Sequence, residues 1–564
     1  MDRILLNYLR AADILFSLAN WKGKMPTTIS SLYNSLINAR RSLSLFQHHD
    51  GVTGTAKTHV MDDYGWPRQF LIQKNIISRT SEFLLEFTPK ETKDQFKVDS
   101  EHFKNKLPEK IILKEGTIIV VNSLGYLRKE IICIYVKNKN TKIVGKDNII
   151  LQQIEPIFYT NENNKLTIYK DKYSLCFEAE LPPFGLVSFN LLENGEIENK
   201  VKLQTYKTNI ETTLFETTLN DEKELYLSNE FTTAFFNKTT GYLKSIKINN
   251  EKIVDIFLSF VRYGARKRNP ARTDGGDSLS GAYLFLPDGP AVEIDSSKNQ
   301  FVIVKGPVRQ CIHVNGPLEF GIIHQLCLDK NSKEFTLLNQ INMESTWLLK
   351  WKNLNKNIEI AMNFKIPSII EDNFFTDLNV QPFIENLNDI RVSLYGRQAL
   401  GVASLNIGEL QIMLDRRLLQ DDDLGLGQSI EDNIQTESLF YLNIEKFNFK
   451  RSILNDTIGF HSLSDSLPSF NSFFGLKQSF PCDIFPVAFR TLSEPTIYSS
   501  GNRNTLPKYE AALILKRFGI ECNLDSTLPN GTKCDKSTGN LNLNNIFTKN
   551  PRSITKGTLT LILN

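Results

Sequence analysis

The spacing of apolar residues changes once along this chain, near Pro108, and that change limits the folds open to it. Before it, Leu5, Tyr8, Leu9, Ala12, Leu15, Phe16 and Ala19 recur at three- and four-residue steps, the repeat of a helix with one buried face. Pro26 followed by Thr27 and Thr28 marks a second helix start, and that helix carries Ile29, Leu32, Tyr33, Leu36 and Leu43 on one side. A third periodic stretch runs from about Lys57 to Phe87, with Pro67 expected to kink it. Three helices with short connections predict a three-helix bundle over residues 1–88.

Beyond Pro108 the apolar runs are short and rich in Ile, Val, Phe, Tyr and Leu. Gly116–Ser123, Glu130–Val136, Gln300–Gly306 and Lys333–Met343 are examples, with Gly, Asn, Asp and Pro between them. These are strand signals separated by turn chemistry. No long helices alternate with them, so the sheets should be mainly antiparallel. The expected class is α+β: a three-helix bundle followed by a large, mainly antiparallel all-β region of sandwich domains. A small sandwich is expected over 89–200 and a large C-terminal region over 201–564.

Composition excludes some partners. Lysine and arginine number 66 against 63 acidic residues, a net charge of +3, which gives no reason to expect nucleic acid as a partner. No apolar run is long enough to span a bilayer. The first twenty residues carry charges inside the apolar stretch and read as an amphipathic helix, not a signal peptide. Sequons at Asn237, Asn455 and Asn530 hint at a lumenal protein. The seven cysteines include no Cys-x-x-Cys pair, so no structural zinc cluster is signalled. By spacing, Cys522 and Cys534 are either a local bridge, worth roughly 3 kcal/mol, or two free thiols.

Most informative is the stretch Ala39–Lys57, which ends the second helical pattern and opens the third. His48, His49 and Asp50 stand at the junction, followed by Gly51 and Gly54. Adjacent His and Asp on a tight turn can ligate zinc or hold a substrate. On chemistry alone they read first as a helix-terminal His pair with Asp50 capping the next helix. Three further stretches stand out: Ser280–Pro290, Met413–Gln428 and Ala512–Cys522. Taken alone, Tyr283 reads as a half-buried strand aromatic, and the charges of Met413–Gln428 as a solvated face or ion-pair network. His59, His102, His313, His324 and His461 lack ligand-like spacing and are expected at the surface or packed.

In this order the four stretches resemble motifs of the family 38 α-mannosidases, the Golgi α-mannosidase II group in particular. The resemblance implies that His49 is a zinc ligand, that His48 supports it, and that Asp50, Tyr283 and Arg417 contact mannose. It also implies a Cys522–Cys534 disulfide and a strand at Ala512–Cys522. Phe375–Asn379 resembles a further family segment, but Val380 stands where the family has glycine, so a different loop is expected there. The family's nucleophile and acid, and a second zinc pair in an HxDPGW-like motif, come from an upstream α/β domain. That motif is absent here, so no catalytic residue is expected within this chain. The parent implied is a zinc-dependent retaining enzyme that trims mannose-containing N-glycans in the Golgi and is anchored to the membrane by an upstream segment, with this chain a truncated form. The alternative is an inactive carbohydrate-binding or interaction protein of the same family.

Overall fold

In the computed structural model the described residues are 2–86, 116–145, 150–193, 201–248, 252–266, 279–343, 357–446, 472–493 and 505–517, with short gaps inside them, together with 112–113, 458–462, 543 and 546–549. The chain opens with six helices: α1 (Asp2–Lys22), α2 (Thr27–Ser30), α3 (Leu32–Phe46), α4 (His49–Thr53), α5 (Thr58–Asp63) and α6 (Trp66–Leu84). The three longest share one core, with Leu15, Phe16, Tyr33, Leu36, Leu43 and Ile76 inside it. Pro67 does not kink a helix, as the sequence suggested. It sits at the start of α6, where proline's missing N–H and fixed φ suit the first turn.

Ten consecutive residues of α1, Ala11 to Asn20, are buried, far more than one amphipathic stripe provides. The cause is a second cover. An antiparallel hairpin of Ile484–Ser493 and Pro507–Arg517 lies over the face away from α3 and α6. Ser17 meets Thr491 at 3.0 Å, and Asn20 donates to the Lys508 carbonyl at 2.7 Å. Asp13, buried in the same helix, accepts from Arg40 of α3 at 2.6 and 3.1 Å.

Most of the described chain beyond the helices is strand, mainly antiparallel as expected. Gly116–Asn122 is hydrogen-bonded to Gly185–Leu192 and to Ile458–Ser462. Its side chains alternate between two cores: Ile118 and Val120 enter the sandwich with the Arg128–Val136 and Leu166–Leu181 sheet, while Ile119 and Val121 pack against the helices. A strand buried on both faces has to be apolar throughout, which accounts for its unbroken run of Ile and Val.

Further on, a ten-stranded sheet packs against a five-stranded one across the largest core, with Ile303, Ile312 and Leu326 facing Phe260, Ile360 and Ile412. The five-stranded sheet has Phe257–Gly264, Ile358–Lys365 and Glu409–Arg417 as neighbours. The segment that follows Ser280 lies on its outer face, where Phe285 and Ala291 pack on Tyr263 and Val261. Two disulfides join opposed residues of neighbouring strands, Cys133 to Cys176 and Cys311 to Cys327. The Cys522–Cys534 pair and His102 lie outside the described residues.

Candidate functional site

The His-His-Asp stretch is held by its flanks. Arg40 ties α3 to α1 through Asp13, and Phe46 closes α3 against the ring of Tyr64, 5.5 Å between centroids. The chain then turns back under α3. A Cβ on Gly51 would lie 2.4 Å from the Phe46 carbonyl oxygen, so only glycine fits there. Gly54 ends α4 in the left-handed region, φ 75°, again a glycine preference.

His48 precedes α4, and His49 and Asp50 form its first turn. Their rings and carboxylate cluster tightly. His48 Nε2 is 3.1 Å and His49 Nε2 3.6 Å from Asp50 Oδ2, and the two rings are 4.1 Å apart. Asp50 Oδ1 accepts from the Thr55 hydroxyl at 2.8 Å. That hydrogen bond, opposed by desolvation and helped by the two histidines, holds the Asp50 carboxyl below the usual carboxylate range. The Asp50 side chain does not cap the next helix; among the described residues its partners are Thr55 and the two histidines. The His49 side chain is 83% exposed. Together the three residues bring two ring nitrogens and a carboxylate oxygen within 4.8 Å of one another. That nitrogen and oxygen donor set suits Zn²⁺, although a four-coordinate site needs a donor beyond these three.

Tyr283 lies on the Ser280–Pro290 segment, not in a strand, and is 41% exposed. Its backbone N–H donates to Asp422 Oδ2 at 2.9 Å. Arg416 fixes the two preceding carbonyls, those of Gly281 and Ala282, through two nitrogens at 2.9 Å each. A Cβ on Gly281 would fall 2.4 Å from Asp422 Cβ, so the loop approaches that side chain as closely as glycine permits. Arg417 ends the Glu409–Arg417 strand and faces Glu431 at 3.9 Å.

The loop after Arg417 joins these parts. Gln420 donates to the carbonyls of Arg266 and Ser280. Its far end reaches the helices, where Gln428 exchanges contacts with the backbone and hydroxyl of Thr58 at 3.5 and 3.4 Å. Asp421 and Asp422 accept backbone N–H groups of the same loop, those of Gly427 and Leu424. The Met413–Gln428 charges are therefore a loop-building network, not a solvated face.

Sequence reasoning passed over Asp422, Arg416 and Thr55, which hold the expected site residues in place. The first two stand inside the quoted motif, and their periodic neighbours gave no sign of which acid would be buried. It also missed Glu359, which faces Arg416 across the strand pair. Burial pushes its carboxyl up to about 7, with Arg416 opposing the rise and Asp415 adding to it. Of the other histidines, His59 is exposed, His313 packs on Phe158 with ring centroids 4.3 Å apart and His324 is fully buried.

Known proteins bear on this arrangement. Residues 1–75 match the α-mannosidase middle domain, and residues 227–389 match the glycosyl hydrolases family 38 C-terminal domain. Alpha-mannosidase 2 of Homo sapiens is 29% identical over 97% of this chain and 51% of its own length. Alpha-mannosidase 2 of Drosophila melanogaster is 29% identical over 79% of this chain and 43% of its own. The chain thus spans about half the length of these relatives. Among solved structures, an α-mannosidase from Enterococcus faecalis V583 shares the fold with a TM-score of 0.53 at 12% identity, covering 87% of this chain and 60% of that one. A glycosyl hydrolase family 38 protein from the same species does so at 0.55 and 13%, covering 87% and 62%. The helices that carry His48–Asp50 and the region that carries Tyr283 thus match successive domains of one family, glycoside hydrolase family 38, the α-mannosidases.

Proposed function

We propose that this chain is the zinc- and sugar-holding share of a retaining α-mannosidase that trims mannose-containing N-glycans in the Golgi. The observation that carries this reading is the Gln420–Gln428 loop. It bonds to the Tyr283 backbone on one side and to Thr58, just past the His-His-Asp turn, on the other. Residues far apart in sequence are thereby tied to one loop.

In this reading His49 offers an exposed imidazole nitrogen to the metal, and His48 orients Asp50. Zinc bound there supplies a Lewis acid that orients sugar hydroxyls. Asp50, kept ionised by Thr55, accepts a hydrogen bond from a mannose hydroxyl. Tyr283 projects from its clamped loop to pack on or bond the sugar, and Arg417 donates to its oxygens. Cys522 and Cys534 form the family's disulfide. Cleavage with retention needs two carboxyl groups flanking the bond, a nucleophile and an acid. We assign both to residues outside this chain. Exposed Leu45, Val52, Leu284, Leu419 and Leu424, all within or beside these motifs, give apolar surface that another domain would cover.

The test is zinc calorimetry with an aryl α-mannoside assay. This chain alone should bind zinc weakly, lose that binding in His49→Ala, and show no turnover. Supplying the family's upstream domain should restore turnover. Hydrolysis by the chain alone would refute this division of labour.

A further inference from the structure

Both described disulfides link directly opposed residues on antiparallel strands, with Cα atoms 4.1 Å apart in each pair. Their surroundings differ. Cys311 and Cys327 are both buried. Cys133 is exposed, whereas its partner Cys176 is buried. Charged groups from both sheets close on this second pair. Arg309 Nη1 lies 3.2 Å from Cys133 Sγ, and the Arg309 Nε faces Asp329 at 3.0 Å. Glu155 Oε1 lies 3.4 Å from Cys176 Sγ, while its other oxygen accepts from Gln153 at 3.0 Å.

We propose that Cys133 is a thiol-exchange site, at which a small monothiol forms a mixed disulfide while Glu155 protonates the departing Cys176. Only Cys133 opens to solvent, so the external thiolate attacks its sulfur. A new S–S bond forms there and the Cys133–Cys176 bond breaks. The electron pair goes to Cys176 Sγ, which takes the Glu155 proton; solvent then reprotonates Glu155. Without that proton a thiolate would be stranded in a buried position, a poor leaving group. Burial raises the Glu155 carboxyl, with Arg309 opposing, and this favours the protonated donor form. A second monothiol can attack the outer sulfur of the mixed disulfide. That releases Cys133 as a thiolate beside the Arg309 cation, a position that stabilises thiolates. The balance is two monothiols oxidised to their disulfide and two cysteines reduced.

The Cys311–Cys327 pair has the same strand placement without the access, and serves as an internal control. The folded chain, with free thiols blocked beforehand, is exposed to graded glutathione and its cysteine peptides are mapped by mass spectrometry. A glutathione adduct on Cys133, with Cys311–Cys327 intact, is the expected result. Glu155→Gln should slow adduct formation by about tenfold or more at unchanged exposure. The proposal is overturned if the two disulfides open together, if Cys133–Cys176 opens only on unfolding, or if Cys133 is already a free thiol before treatment. Should Glu155→Gln fail to fold, the contrast between the two disulfides in the unaltered chain still decides.

Discussion

His324 should make this protein acid-labile, by an amount set by where its ring sits. The ring is fully buried on the Ile323–Asp329 strand, between the rings of Tyr242 and Phe260 at 5.7 and 5.9 Å. Its Nδ1 meets Asn339 Oδ1 at 2.7 Å, and its Nε2 is buried with no partner among the described residues. A neutral ring donating from Nδ1 satisfies this setting. A protonated ring would bring a second N–H with no acceptor into an aromatic box. Burial accordingly pulls the His324 pKa down to about 4, against the support of Asn339. The unfolded chain, with an ordinary histidine value of about 6.5, then binds the extra proton more readily than the folded one. Stability from this group is intact above about pH 6.5 and falls as pH drops toward 4. Linkage gives a loss of about 2 kcal/mol at pH 5 relative to pH 8. The perturbation is His324→Leu, with urea denaturation of both proteins measured across that range. The substitution should cost about 1–3 kcal/mol at pH 8, because Asn339 loses its donor. The difference between the two curves should shrink by about 2 kcal/mol between pH 8 and pH 5. A difference that stays constant with pH would show that His324 does not titrate as a buried neutral ring, and the reasoning would fail.

Arg40→Leu should destabilise the helices by about 3–5 kcal/mol by stranding the buried Asp13 carboxylate; a thermal melt reads this, and adding Asp13→Asn should recover most of the loss. Gly281→Ala should cost about 1–3 kcal/mol, since its Cβ would press on Asp422, and it should raise proteolytic cleavage near Tyr283. Thr55→Val should let the Asp50 pKa rise toward the ordinary carboxylate value, visible in an NMR titration of its carboxyl carbon.

Local periodicity carried the helices, and the turn chemistry after Pro108 carried the strands, because both depend on near neighbours in sequence. The buried second face of α1 did not show, because Ile484–Ser493 covers it from the far end of the chain. Neither did the two disulfides: cross-strand pairing of Cys133 with Cys176 depends on register across 43 residues, which no spacing rule supplies. At the site, His48, His49 and Asp50 are together because they are adjacent. Their link to Tyr283 runs through Gln428 and Asp422, whose polar side chains look like any other surface polarity in a one-dimensional reading.

The hairpin over α1 has a consequence for how the chain is made. Ser17 and Thr491, which touch in the folded protein, are separated by 474 positions. At roughly 5–20 residues per second of synthesis, the first helix leaves the ribosome about half a minute to a minute and a half before its cover exists. During that interval the apolar back of α1 has no native partner. Holding the nascent helices in solution, by a chaperone or by other parts of the chain, is therefore as much a requirement of this fold as its finished core.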